Sequence, residues 1–210
     1  LPLGSSAVWL QCHMYTGILT GVVFLLHINL RFPNGLLEVA LALIFLFVVG
    51  SGILGLGLSR ILSRRLTTRG AEVIYERIPA LRKELREKVE DLVFEDKKES
   101  GSTVLGDYYL RQLADFFLEP RNRIYHLLGS QRPRQALLAN LIAQDCYFNG
   151  QEREKAKHIH SLICEKDDLD LHSALQGTLK TWSFFHVPLT YSLLMMSLFH
   201  VMLIEAFSAH

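Results

Sequence analysis

Long stretches of this 210-residue chain carry no charge at all. Residues 7–30, 39–58 and 181–204 contain no Asp, Glu, Lys or Arg, whereas 21 of the 22 Lys and Arg lie between Arg60 and Lys180. A hydrocarbon core of about 30 Å is crossed by about 20 mainly apolar residues in a helix. Each gap is that long, so the pattern predicts three transmembrane helices. Cysteine is scarce as well: Cys12, Cys146 and Cys164 form no CxxC, which speaks against a paired zinc site, a c-type haem attachment or a disulfide framework. A basic excess is also missing. The net charge is +1 and the two signs are well mixed, so there is no electrostatic footprint for nucleic acid. Strand-like alternation is not evident. The first apolar stretch is too long for a signal peptide and lacks a basic segment ahead of it.

The charges that are present sort the chain into an all-α membrane bundle with a helical insert. Residues 1–59 hold a first span at about 7–30 and a second at about 36–58, joined by the turn-like "RFPNG". Residues 60–178 form the insert, and 179–210 carry the third span. Arg60, Arg64, Arg65 and Arg69 follow the second span ahead of any acid, while Arg31 is the one basic residue expected on the opposite side. By the positive-inside rule the insert faces the cytoplasm of a multi-pass protein in the cell (inner) membrane. The first and third spans then run parallel. Within the insert, Val73, Ile74, Ile78, Leu81, Leu85, Val89 and Leu92 recur at helical intervals, with Pro79 expected to break or kink the run. Ser102 or Thr103 is a candidate helix start, and 104–118, 133–148 and 152–166 are further helical candidates.

Four histidines occupy the spans: His13 and His27 in the first, His186 and His200 in the third, fourteen residues apart in each. On a helix that separation leaves an angular offset of about 40° and an axial distance of about 21 Å, so each pair shares a face. With parallel spans, His13 meets His186 near the cytoplasmic side and His27 meets His200 near the outer side. Imidazoles in hydrocarbon need a reason to be there, and ligating a metal removes the cost of unpaired ring nitrogens. Two imidazoles facing each other at two depths suit two bis-histidine haem irons. His158 and His172 continue the same spacing, so depth on separate apolar helices, rather than spacing, singles out the four. His126, His158, His160, His172 and His210 read as surface histidines.

In these four residues the chain resembles the membrane-embedded di-haem b-type cytochromes, over about 50 residues of the first and third spans. The resemblance implies two haem b groups, with His13 and His186 on the cytoplasmic-side iron and His27 and His200 on the outer-side iron. Arg31, Arg60 and Lys180, at the membrane boundaries, become candidate partners for haem propionates. It further implies an electron-transfer subunit of an oxidoreductase complex, linking a quinone or cytoplasmic donor to an acceptor on the other face, such as a c-type cytochrome. Three spans leave one wall of such a bundle open, which calls for another subunit, a second copy of the chain, or a helix upstream of Leu1.

Other features have plainer readings. "GSGILG" at 50–55 matches a dinucleotide-binding fingerprint, but the apolar run before it is too long for a strand, and a glycine face for close packing accounts for it better. Gly17 and Gly21 form a GxxxG, with Thr20 between the first-span histidines. The acidic "EKDDLDLH" at 165–172 reads as a solvated helix end rather than a quinone-linked proton relay. The competing functions are a membrane anchor or scaffold whose histidines are structural and whose insert docks a partner, and a metal-ion carrier, for which the spans offer only Cys12 beside the histidines.

Overall fold

The computed structural model describes residues 5–31, 33–67, 73–94 and 104–208. Among these there is no strand. Three helices are long and apolar enough to cross a membrane: α1 (Ser6–His27), α2 (Leu36–Thr67) and the C-terminal part of α8 (Gly150–Ser208). Between α2 and α8 lie α3 (Ile78–Phe94), α4 (Val104–Tyr108), α5 (Ala114–Leu118), α6 (Arg123–Leu128) and α7 (Arg132–Ala143). The chain divides into two compact units, Leu1–Ile61 with Leu179–His210, and Leu62–Thr178.

In the first unit α1 and α2 meet through stacked Phe24 and Phe45 rings, 4.1 Å between centroids. Most apolar side chains here point outward, Leu26, Phe47, Phe184 and Met202 among them. An outward apolar surface on helices of this length is what a lipid environment covers. The helix α1 stops at His27, three residues short of the expected end, where Asn29 and Leu30 take left-handed conformations with φ of 50° and 56°.

The second unit has an ordinary water-excluding core. Val89 and Val93 of α3, Leu113, Phe116 and Phe117 around α5, and Ile159 and Ile163 of α8 are nearly inaccessible. Ile78, Leu85 and Leu169 form a second cluster. Of the expected α3 face, Ile78, Leu85 and Val89 are buried, whereas Ile74 lies before the helix and is exposed. Pro79 marks a break rather than a kink: a 3-10 turn at Tyr75–Arg77 gives way to α3 at Ile78, and Pro79 occupies the first turn of α3, where its missing N–H costs nothing. The 104–118 segment is helical throughout but passes through a π turn at Tyr109–Leu113 between α4 and α5. The candidate helix start at Ser102 or Thr103 lies outside the described residues, as do Arg69 and His210.

The helix α8 differs most from expectation. The 152–166 helix and the third span are one continuous 59-residue helix. Its start is fixed by a capping box: the Asn149 side chain accepts from the Glu152 N–H at 2.8 Å, and Glu152 accepts from the Asn149 N–H at 3.0 Å. No proline interrupts it before Pro188. The acidic stretch 165–172 is not a solvated end. Lys166, Asp167, Asp170 and His172 are buried; Lys166, Asp167 and Asp170, at three- and four-residue spacing, share a face on which Asp170 meets Arg82 of α3 and Asp167 meets His126 of α6. His126 is buried too, its Nε2 lying 3.6 Å from Asp167, so neither His126 nor His172 is a surface histidine.

Candidate functional site

The first unit brings His13 of α1 and His186 of α8 together. Their ring centroids lie 6.4 Å apart with the ring planes nearly perpendicular, at 86°. His13 is exposed and His186 is buried, so one ring is fixed by its neighbours and the other stands at the open side.

Those neighbours come from α2 and from the preceding turn of α8. Ser51 Oγ lies 2.7 Å from His186 Nδ1 and 2.9 Å from the Val48 carbonyl. A hydroxyl has a single proton. Donating it to the Val48 carbonyl makes Ser51 the acceptor for the His186 Nδ1–H. That assignment leaves a lone pair on His186 Nε2, the nitrogen available to a metal, and matches the way outer partners orient ligating imidazoles. Trp182, one turn earlier on α8, stacks on His186 at 4.9 Å and donates its indole N–H to the Ser51 carbonyl at 2.8 Å. The Thr190 hydroxyl donates to the His186 carbonyl at 2.9 Å.

The glycines of "GSGILG" make this closeness possible. A Cβ on Gly52 would lie 3.7 Å from His186 Cε1, an ordinary contact, while a Cβ on Gly55 would overlap the Trp182 indole. Gly50 and Gly57 face open space. The motif is a helix-packing face, with Gly55 its closest point.

The other candidates are dispersed. His27 is exposed at the last position of α1 and His200 is half-buried in α8, and among the described residues no ring contact joins them. Arg31 follows α1, Arg60 lies in α2 and Lys180 in α8, all exposed. Thr20 bonds the Gly17 carbonyl within its own helix at 2.9 Å. The sequence reading missed Ser51 and did not place Trp182 beside His186. A polar residue inside an otherwise apolar span was the available signal for Ser51.

A metal ion held between two imidazoles on opposite sides of it, with metal–nitrogen bonds of about 2 Å, puts the ring centroids about 6 Å apart. The observed spacing of His13 and His186 fits that requirement. No group of three or more His, Cys, Asp or Glu side chains able to hold a metal ion occurs among the described residues. Comparison with protein-family models, curated proteins and solved structures finds no match to this chain.

Proposed function

We propose that the chain is a transmembrane electron-transfer subunit carrying two bis-histidine b-type haems, one held by His13 and His186 and the other by His27 and His200. The observation that carries this reading is the His13–His186 pair at 6.4 Å, with the Ser51 hydroxyl 2.7 Å from Nδ1 of His186. A haem so held supplies one-electron chemistry at a potential set by its ligands, their hydrogen bonds and burial.

The chain's own residues prepare the site. Ser51 fixes the tautomer of His186, Trp182 holds the ring from one face, and the glycines of α2 admit both side chains. His27 and His200, at the other end of their spans, are the second pair on spacing and depth. Arg60, Arg64 and Arg65 after the second span support a cytoplasmic insert in a multi-pass protein of the cell membrane, with a quinone or a cytoplasmic protein as electron donor. The open side at His13 supports a further subunit or a second copy completing the bundle.

The test is a dithionite-reduced minus oxidised optical spectrum of the purified full chain, with haem quantified per chain. Two non-covalent b haems are expected. A well-folded preparation, made with haem supplied, that binds none would overturn the reading and leave the histidines structural in a membrane anchor.

A further inference from the structure

Helix α6 gives the insert a single buried side chain, and that side chain is titratable. His126 is 4% exposed, while Ile124, Tyr125 and Leu128 are 71%, 49% and 73% exposed. No residue of α6 belongs to either core cluster. A helix this short does not hold itself in water. Its docking therefore rests on polar contacts. On one side the Leu127 carbonyl accepts from Arg65 Nη1 at 2.6 Å, in the last turn of α2, and the Arg65 guanidinium packs against Gly129. On the other side His126 Nε2 lies 3.6 Å from Asp167 Oδ1 of α8. The short helix thus ties the end of α2 to α8.

The strength of the second tie depends on a proton. Asp167 is 2% exposed, so its carboxylate relies on the groups that face it. From α6 these are His126, and from α7 Arg134, whose Nη1 lies 3.8 Å from Asp167 Oδ2 and 3.7 Å from Asp168 Oδ1. Arg134 is shared between two carboxylates, and its Nη2 also donates to Gln131 at 2.8 Å. On α8 itself Lys166 is committed to Asp170 and to the Glu119 carbonyl, and Cys164, Asp168 and Asp170 add no positive charge. A protonated His126 is then the cation that approaches Asp167 most closely. Burial pushes the Asp167 carboxyl above its usual range, and His126 and Arg134 pull it back. A carboxyl raised in this way stabilises the docked state at low pH, and that contribution is lost as pH rises. Loss of the His126 proton works in the same direction, because it leaves the buried carboxylate with less charge opposite it. An imidazole makes this change between about pH 5 and 8.

We propose that α6 is a proton-controlled latch. Charged His126 holds α6 on Asp167; when His126 gives up its proton, α6 loosens from α8, and the tie through Arg65 to α2 loosens with it. The ligand of this site is the proton, held between α6 and α8. The inference is independent of the haems.

The test is hydrogen–deuterium exchange of the purified full chain at pH 6 and pH 8, corrected for the effect of pH on the intrinsic exchange rate. The amides to follow are those of His126, Gly129 and Ser130, which donate to the Asn122, His126 and Tyr125 carbonyls. Amides of α3 are the internal control. An opening that releases one proton becomes more favourable by at most about tenfold per pH unit. Protection at 126–130 is expected to fall about tenfold from pH 6 to pH 8 while that of α3 is unchanged. In His126→Gln, which takes up no proton, protection at 126–130 is expected to be low and equal at both pH values. Parent protection that does not change with pH would overturn the proposal, and so would an equal fall in His126→Gln. If His126→Gln loses the insert fold, seen as lost protection in α3, Asp167→Asn decides instead: a vanished pH response is expected, and a response like the parent's would overturn the latch.

Discussion

Gly55 shows how closely the residues around His186 are fitted. A methyl group there would overlap the Trp182 indole, which is both stacked on His186 and bonded to the Ser51 carbonyl. Overpacking of this kind costs about 1–3 kcal/mol. Alanine's better helix propensity returns up to about 1 kcal/mol. Gly55→Ala is therefore expected to lower stability by about 1–2 kcal/mol, with a shift in tryptophan emission as Trp182 moves. Gly52→Ala, with only an ordinary 3.7 Å contact to His186, is expected to be neutral or slightly stabilising. Thermal unfolding of both variants in one detergent checks the contrast; equal effects would contradict it. The His13–His186 pair was legible in the sequence because an imidazole inside a charge-free span stands out. Ser51 and Trp182 as partners of His186 were not. Which residues meet across two helices depends on how each is rotated about its axis, and the sequence pattern of a span that is apolar on every side does not report that rotation.

At the scale of elements, the insert is tied together at Asp170 of α8. Its carboxylate is buried and accepts from Lys166 of the same helix at 2.5 Å, from Arg82 of α3 at 3.1 Å and from the Arg121 backbone N–H at 3.2 Å. Lys166 also donates to the Glu119 carbonyl at 2.8 Å, so this charged cluster holds α3, α8 and the segment between α5 and α6. Burial pushes the Lys166 ammonium below its usual range, against the pull of Asp170. Removing the carboxylate leaves that ammonium buried without it, a change that costs about 3–5 kcal/mol for a buried pair. Asp170→Ala is accordingly expected to unfold the insert at markedly lower temperature while α1 and the span of α8 stay helical, read by circular dichroism with limited proteolysis of residues 73–170. A protease-resistant insert with an unchanged midpoint would contradict this role. The sequence showed the charges but not their burial. Their spacing places them on one helix face, yet a mixed-charge run looks the same whether that face meets water or an insert. The Asn149–Glu152 capping box was present in the letters as N-x-x-E, and the helix it starts runs uninterrupted because its one proline falls late.

For the whole molecule, the distribution of charge made the architecture legible. Three uncharged stretches became three helices long enough to span a bilayer, and the charged middle segment became a compact unit with its own core. Short elements were not legible in the same way. Six residues of α6 are too few to reveal a period, and their outward apolar face is visible only once His126 is seen to point inward. The account's central claim, that His13 and His186 share one iron, is tested most directly by low-temperature electron paramagnetic resonance of the oxidised full chain and two single variants. Two low-spin ferric haem signals are expected, and the same one of the two should disappear in His13→Ala and in His186→Ala. Loss of different signals in the two variants, or no low-spin haem signal in a folded and haem-supplied protein, would contradict it.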